Sequence, residues 1–125
     1  PPPVQRPRIP VWVVAAWPRP ISMHRALRWD GLLPNKMMPD GTMGEVTPDD
    51  VAAMRDYVTE HRTATTPFDI VMEGETPGGD AEAARARIEP FATAGATWWM
   101  ESMWSAPADA ELYRARIRQG PPRID

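Results

Sequence analysis

Four short apolar segments, each followed by a stretch of helical character, constrain what this chain can fold into more than any other feature. The segments run from Val11 to Ala16, Gly31 to Pro34, Phe68 to Met72 and Thr97 to Met103. A short segment that is apolar on both faces is typical of a buried parallel strand. A β-α order repeated four times requires right-handed crossovers and a parallel sheet. The sequence therefore predicts an α/β fold of four β/α units, as a small open sheet or as half of a (β/α)8 barrel.

The segments between the predicted strands carry helix start and stop signals. Thr47-Pro48-Asp49-Asp50 combines a cap, a proline at the first helical position and acids in the first turn, which predicts a helix ending near Arg62. Ser22 is expected to cap a short helix through about Trp29. Asp80 is expected to cap a third helix that Gly95 ends and that Pro90 kinks. A last helix is expected from about Ala108 to Arg118, and residues 35 to 46 are expected to form a loop.

Composition excludes several classes of function. The chain has 125 residues, a formal net charge of −3 and no cysteine. Disulfides and thiolate chemistry are therefore excluded, and the charge argues against non-specific nucleic-acid binding. No apolar run approaches the length of a membrane span, so no membrane partner is expected. The absence of cysteine is compatible with a reducing cytoplasm, where we expect the protein to be. Residues 1–10 are read as a proline-rich connector and residues 11–125 as the half-barrel domain.

Carboxylates follow two of the predicted strands, at the end where parallel sheets place their sites. Glu73 follows the third strand and Glu101 lies in the fourth. If the two share a rim, a raised pKa in one would make it a proton carrier. The favoured alternative is that they are solvated or paired with Arg19 or Arg25.

Other candidate features have a structural interpretation beside the functional one. The loop from Thr76 to Gly79 opens a helix and could receive a phosphate, but Asp80 would repel it, so a structural turn is favoured. Methionines 37, 38 and 43 could form an adaptable pocket wall, although packing is favoured. His24 and His61 lie on different helices without ligand spacing, so they are expected on helix surfaces and no metal site is predicted.

The tryptophans of the fourth strand are assigned by their alternation. Trp98 and Trp99 should point to opposite faces and fill the core. Trp104, just beyond the strand, is the better candidate for contact with a ring system.

Four runs of sequence, in their order along the chain, carry a family resemblance. They are PPPVQRPRIPVWVVAAWP (Pro1 to Pro18), RALRWDGLLP (Arg25 to Pro34), TPDDVAAMRDYVTEHR (Thr47 to Arg62) and GATWWMES (Gly95 to Ser102). Together they resemble the C-terminal half of bacterial luciferase-like monooxygenases. The resemblance implies a (β/α)8 barrel and an oxidoreductase that uses FMN or a deazaflavin. Family members are more than twice as long, so the first half of the barrel is absent from this sequence.

The resemblance also implies which residues would contribute to a cofactor site. Where the family commonly has a glycine-containing turn, this chain has Ala15, Ala16 and Trp17. The other expected contributors are Asn35, Glu101, Ser102 and Trp104. No catalytic base is assigned. The alternative is a non-catalytic half-barrel whose edge strands, Val11 to Ala16 and Trp98 to Met103, pair with a second copy or with an N-terminal half.

Overall fold

The computed structural model describes residues 4–6, 8–105 and 108–121. The strands are β1 (Trp12–Trp17), β2 (Gly31–Met37), β3 (Met43–Gly44), β4 (Asp69–Gly74) and β5 (Trp98–Glu101). The helices are α1 (Pro20–Ala26), α2 (Pro48–His61), α3 (Ala81–Ala94) and α4 (Ala110–Gln119). The predicted α/β fold of four β/α units is confirmed.

The four long strands form a parallel sheet in which they stand in chain order, β1-β2-β4-β5. β1 and β2 pair along their whole shared length, from Trp12 with Gly31 to Trp17 with Lys36. Pairing of β2 with β4 is limited to their first two residues, and β4 pairs with β5 from Val71 with Trp98 onward. Chain-order neighbours joined by helical crossovers are what half of a (β/α)8 barrel requires.

One face of this sheet, the helix-covered face, carries the hydrophobic core. Ala15, Leu32 and Ile70 project from successive strands into a cluster with residues of α1 and α2. From α1 the cluster takes Met23 and Ala26, and from α2 it takes Val51 and Met54. Because side chains alternate along a strand, the apolar neighbours of these strand residues must lie on the other face.

That other face, the bare face, holds Trp12, Val14, Ala16, Leu33, Asn35, Val71, Trp98 and Met100. Three of its apolar side chains are open to solvent, with 52% of Val14, 54% of Trp98 and 37% of Met100 exposed. The strands are thus apolar on both sides, as predicted, but the helices of the described residues pack on only one side.

The start of α2 and both ends of α3 lie where the capping residues in the sequence predict them. Thr47 and Asp50 form a reciprocal capping box at α2, in which each side chain accepts from the other's backbone N–H. Asp80 caps α3 through the Ala83 N–H, and Gly95 ends that helix with a φ of 121°. α3 continues through Pro90 to Ala94.

The prediction for α1 was wrong. The helix begins at Pro20 and ends at Ala26, and its N-cap is Arg19 without a side-chain cap. Pro20 at the first helical position has the φ that a helix needs, so the chain enters the helix before Ser22. The Ser22 hydroxyl instead accepts a hydrogen bond from the Ala16 N–H at 2.9 Å.

The expected loop from residue 35 to 46 was also wrong. β2 continues to Met37, and β3 returns antiparallel beside it, pairing Met37 with Met43 and Lys36 with Gly44. The turn residue Gly41 has a φ of 87°, a conformation that glycine adopts readily. The remaining strand ends differ from the prediction by one or two residues, and β5 is four residues long rather than seven.

None of the helices in the described ranges is both long enough and apolar enough to cross a bilayer.

Candidate functional site

The C-terminal end of the bare face brings together two of the residues expected at a cofactor site. Ala16 of β1 and Asn35 of β2 are direct partners in the parallel register, so their side chains lie side by side on one face. Both are half-buried. The Asn35 amide forms no hydrogen bond with another described residue, and it offers donors and an acceptor to a bound group.

The N-terminal end of the bare face is closed by a set of side chains from the first residues of the strands. The Trp12 indole crosses Gly31 and donates from Nε1 to Asp69 Oδ2 at 3.0 Å. Its ring centroid lies 5.5 Å from that of Trp98. Thr97 Oγ1 donates to the other carboxylate oxygen of Asp69 at 3.0 Å. This end is filled, so a ligand on the bare face would have to approach from the Ala16 and Asn35 end.

The other two residues of the Ala15-Ala16-Trp17 segment point to the helix-covered face. Ala15 is fully buried in the core. The Trp17 indole packs edge-on against Tyr57, with centroids 6.1 Å apart, and its Nε1 donates to Asp50 Oδ1 at 3.3 Å. Lys36 donates to the same carboxylate at 2.7 Å. Trp17 and Ala15 are therefore separated from Ala16 by the sheet itself.

Glu101 is also on the helix-covered face, where it joins the end of β5 to the following helix. Its carboxylate accepts hydrogen bonds from the backbone N–H of Thr76 at 2.7 Å and from the Thr76 hydroxyl at 2.8 Å. Arg116 of α4 forms an ion pair with it at 3.3 Å and also donates to Thr76 Oγ1 at 3.0 Å. The favoured alternative was that the carboxylates are solvated or paired with Arg19 or Arg25. Glu101 is indeed paired with an arginine, but the arginine is Arg116.

The electrostatics of Glu101 oppose a role as a proton carrier. Partial burial acts to raise the pKa of Glu101, but the two hydrogen bonds from Thr76 and the charge of Arg116 outweigh it and lower the pKa below its usual value. Glu73 is exposed and occupies the register position opposite Met100, so it points to the bare face. The two carboxylates therefore do not share a rim, because the sheet lies between them.

Ser102 and Trp104 follow β5 at the same end of the sheet. The Ser102 N–H donates to the Gly74 carbonyl at 2.9 Å, and the Ser102 hydroxyl is buried without a hydrogen-bond partner in the described part of the chain. Trp104 lies in the turn beyond the strand, with 81% of its surface exposed. It is accessible to a ring system but packs against little of this chain.

The loop considered for phosphate lies against α4 and the start of α3, beside a cavity of about 340 Å³ that Arg116 also lines. Asp80 accepts from the Ala83 N–H at the start of α3. A Cβ atom on Gly78 would lie 1.9 Å from Gln119 Oε1, so α4 sits directly against the loop backbone. The structural-turn interpretation fits this geometry.

The prediction that Trp98 and Trp99 point to opposite faces is confirmed, but Trp98 does not fill the core, because 54% of it is exposed. The two histidines are exposed on helix surfaces, as predicted, and they lie close to each other. Trp99 faces the helices, with its ring centroid 5.7 Å from that of Phe91, while Trp98 faces the bare side. His24 of α1 and His61 of α2 have ring centroids 5.7 Å apart. Their separation of 37 positions in sequence gave no signal of this contact.

Helix α1 partly closes the free edge of β1. Arg25 Nη2 donates to the Val14 carbonyl at 2.9 Å, and Ser22 accepts from the Ala16 N–H. These side chains occupy groups to which an added strand would otherwise bind.

Comparisons with other proteins add no assignment. No protein-family model matches the chain, and neither a curated protein nor a solved structure is significantly similar to it. Within the described ranges, no cluster of three or more histidine or carboxylate side chains could hold a metal ion.

Proposed function

We propose that this chain forms half of a luciferase-like, flavin- or deazaflavin-dependent oxidoreductase and contributes part of the rim around the flavin ring. The observation that carries the proposal is the pairing of Ala16 with Asn35 at the open, C-terminal end of the bare face. Parallel (β/α) sheets place their sites at that end. The four runs that resemble the family supply the cofactor class.

The residues suit the flavin ring better than its phosphate. Ala16 is small enough for a planar ring to approach the sheet, and the unpartnered Asn35 amide can bond to a polar ring edge. The buried Ser102 hydroxyl is a second polar group without a partner among the described residues. At the loop containing Gly78, by contrast, the Gln119 side chain lies against the backbone and the Asp80 carboxylate would repel a phosphate.

A bound reduced flavin would supply a hydride or activate oxygen. The role of this chain would be to hold the ring at Ala16 and Asn35. Glu101 would serve to anchor α4 and the loop at Thr76 rather than to contact the ring.

Titration with FMN tests the proposal. We expect tens of micromolar FMN to show a shifted absorption spectrum or quenched fluorescence in the presence of the folded chain. Asn35→Ala removes the amide at the rim and should weaken binding by about threefold to tenfold, the effect of one hydrogen bond. Gln5→Ala, which removes an exposed amide outside the sheet, is the matched control. No spectral change with a chain that is folded by circular dichroism would refute the proposal.

A second candidate function is a non-catalytic half-barrel that pairs with itself or with a separate N-terminal half. The exposure of Val14, Trp98 and Met100 on one sheet face favours it. Covering these side chains would bury apolar surface, which is the main driving force for association.

Light scattering on the purified chain tests this second candidate. We expect a dimer, and we expect Val14→Lys to make it monomeric because the charge would lie in the covered face. Val4→Lys makes the same change at a fully exposed site outside the sheet and should have no effect. A wild-type chain that is a stable monomer would rule out self-pairing.

A further inference from the structure

An open groove of about 1130 Å³ runs between α1 and the end of α2, on the outer side of β1. Its basic lining residues are four arginines, Arg19, Arg25, Arg28 and Arg62, and two histidines, His24 and His61. We call it the basic groove. No aspartate or glutamate of the described chain lines it, although the chain as a whole carries a net charge of −3. The positive charge is therefore concentrated locally.

The arginines of the basic groove differ in how far a nearby carboxylate compensates their charge. Hydrogen bonds from Val11 and Arg8, and then the charges of Arg8 and Arg62, lower the pKa of Asp30, so Arg62 lies within reach of that carboxylate. None of the four arginines forms an ion pair within the described residues.

The side chains of Arg19 and Arg28 make no hydrogen bond to a described residue either. The guanidinium groups of Arg19 and Arg28 are therefore available to bind phosphate in a bidentate manner. Arg62 already donates both of its Nη groups to the Ala64, Thr66 and Trp29 carbonyls and to Thr66 Oγ1, so it adds positive charge to the depression rather than a free donor.

Two of the arginines are held in place by uncharged acceptors. Arg25 donates to the Val14 carbonyl at 2.9 Å, and Arg62 donates to the Ala64 carbonyl at 2.7 Å. Arg62 also lies over the Phe68 ring, 5.0 Å from its centroid. These contacts restrict the side chains without neutralising them, which lowers the entropy cost of binding an anion.

The basic groove also has an apolar and aromatic wall. Ile21 is 90% exposed there, and Leu27 lies beneath it. His24 accepts from or donates to the Tyr57 hydroxyl at 3.0 Å, and the Tyr57 and His61 rings are stacked 4.1 Å apart. A planar ring could pack against this wall while its anionic groups reach the arginines.

We propose that the basic groove binds an organic anion made of a planar ring and two or more phosphate groups, of the nucleoside diphosphate class. Its volume of about 1130 Å³ lies slightly above the range of roughly 300 to 1,000 Å³ that is typical of small-molecule sites, as expected of a groove that is open on one side. The proposal is independent of the flavin proposal, because the groove contains none of the rim residues.

Isothermal titration calorimetry of the full chain with ADP and with inorganic tripolyphosphate tests the proposal. We expect ADP to bind with a dissociation constant below about 1 mM, and more weakly as salt is added because the charges are exposed. The double substitution Arg19→Ala and Arg28→Ala should weaken ADP binding at least fivefold. Neither side chain forms a hydrogen bond or an ion pair with a described residue, so the variant should remain folded.

The matched control is the double substitution Arg87→Ala and Arg118→Ala, which removes two other exposed arginines without ion pairs in the described chain. It should change ADP affinity less than twofold. Equal weakening by both pairs, or no heat of binding at millimolar ADP, would overturn the proposal. Equal affinity for ADP and tripolyphosphate would overturn the part that concerns the ring.

Discussion

The two faces of the parallel sheet are built from similar side chains but meet different surroundings. Leu32 of the helix-covered face is fully buried beneath α1 and α2, while its neighbour Leu33 on the bare face is only half-buried. Ala15 and Val14 differ in the same way, at 0% and 52% exposure. Strands that are apolar on both sides are suited to burial on both sides. The comparison indicates that the bare face needs a cover that the described chain does not supply.

The largest expected effect is a difference in the loss of stability between two adjacent leucines, one on each face of the sheet. Leu32→Ala should lower the free energy of unfolding by about 2 to 5 kcal/mol, because it empties a closed core site. Leu33→Ala should cost about 1 kcal/mol or less, since its surroundings are partly solvent. Urea denaturation followed by circular dichroism measures both. Equal losses would mean that the bare face is covered in solution.

A smaller effect is expected at the closed end of the bare face. Gly31→Ala would place a Cβ 2.7 Å from the Asp69 carbonyl oxygen and from Trp12 Cδ1. The indole or the strand would have to shift, so the melting curve should show a loss of about 1 to 3 kcal/mol. Gly79→Ala, where nothing lies within 4 Å of the added atom, should leave stability nearly unchanged. A neutral Gly31→Ala would contradict the packing of Trp12 across β2.

The smallest effect concerns the ion pair that joins α4 to the helix-covered face. Glu101→Gln should cost about 1 to 2 kcal/mol at neutral pH, because it removes charge-assisted bonds to Thr76 and Arg116. Glu73→Gln, at an exposed position of the neighbouring strand, is the matched control and should have no measurable effect.

The same carboxylate should make stability depend on pH. The folded-state pKa of Glu101 is lowered, so its stabilisation is complete above its unfolded pKa, about 4.3. The stabilisation is lost as the pH falls through the lower folded value. The difference in unfolding free energy between wild type and Glu101→Gln should therefore shrink below about pH 4. A difference that grows on acidification would contradict the lowered pKa.

Local signals accounted for most of the secondary structure. The cap at Thr47, the cap at Asp80 and the stop at Gly95 depend on residues within one helical turn, and each is where the sequence predicts it. The errors came from competing local rules. Pro20 started α1 before the better capping residue Ser22, and the turn at Gly41 allowed β3 to pair with an extended β2.

The candidate site depended more on contacts distant in sequence. Alternation predicted opposite faces for Trp98 and Trp99, and that was confirmed. It did not reveal that Glu101 would meet Arg116 and Thr76, or that His24 would meet His61. The sequence around each residue does not indicate which side chains 15 to 37 positions away will contact it.

The sequence by itself determined the class of fold, the parallel sheet and the two-sided apolar character of its strands, because periodicity and capping act over a few residues. Only the tertiary structure decided which face the helices cover and which partner each rim side chain takes. As a result, Ala16 and Asn35 lie together on the bare face, whereas Glu101 and Trp17 pack on the helix-covered face. Those outcomes depend on the register between strands and on how helices dock, and both are set by contacts across the whole chain.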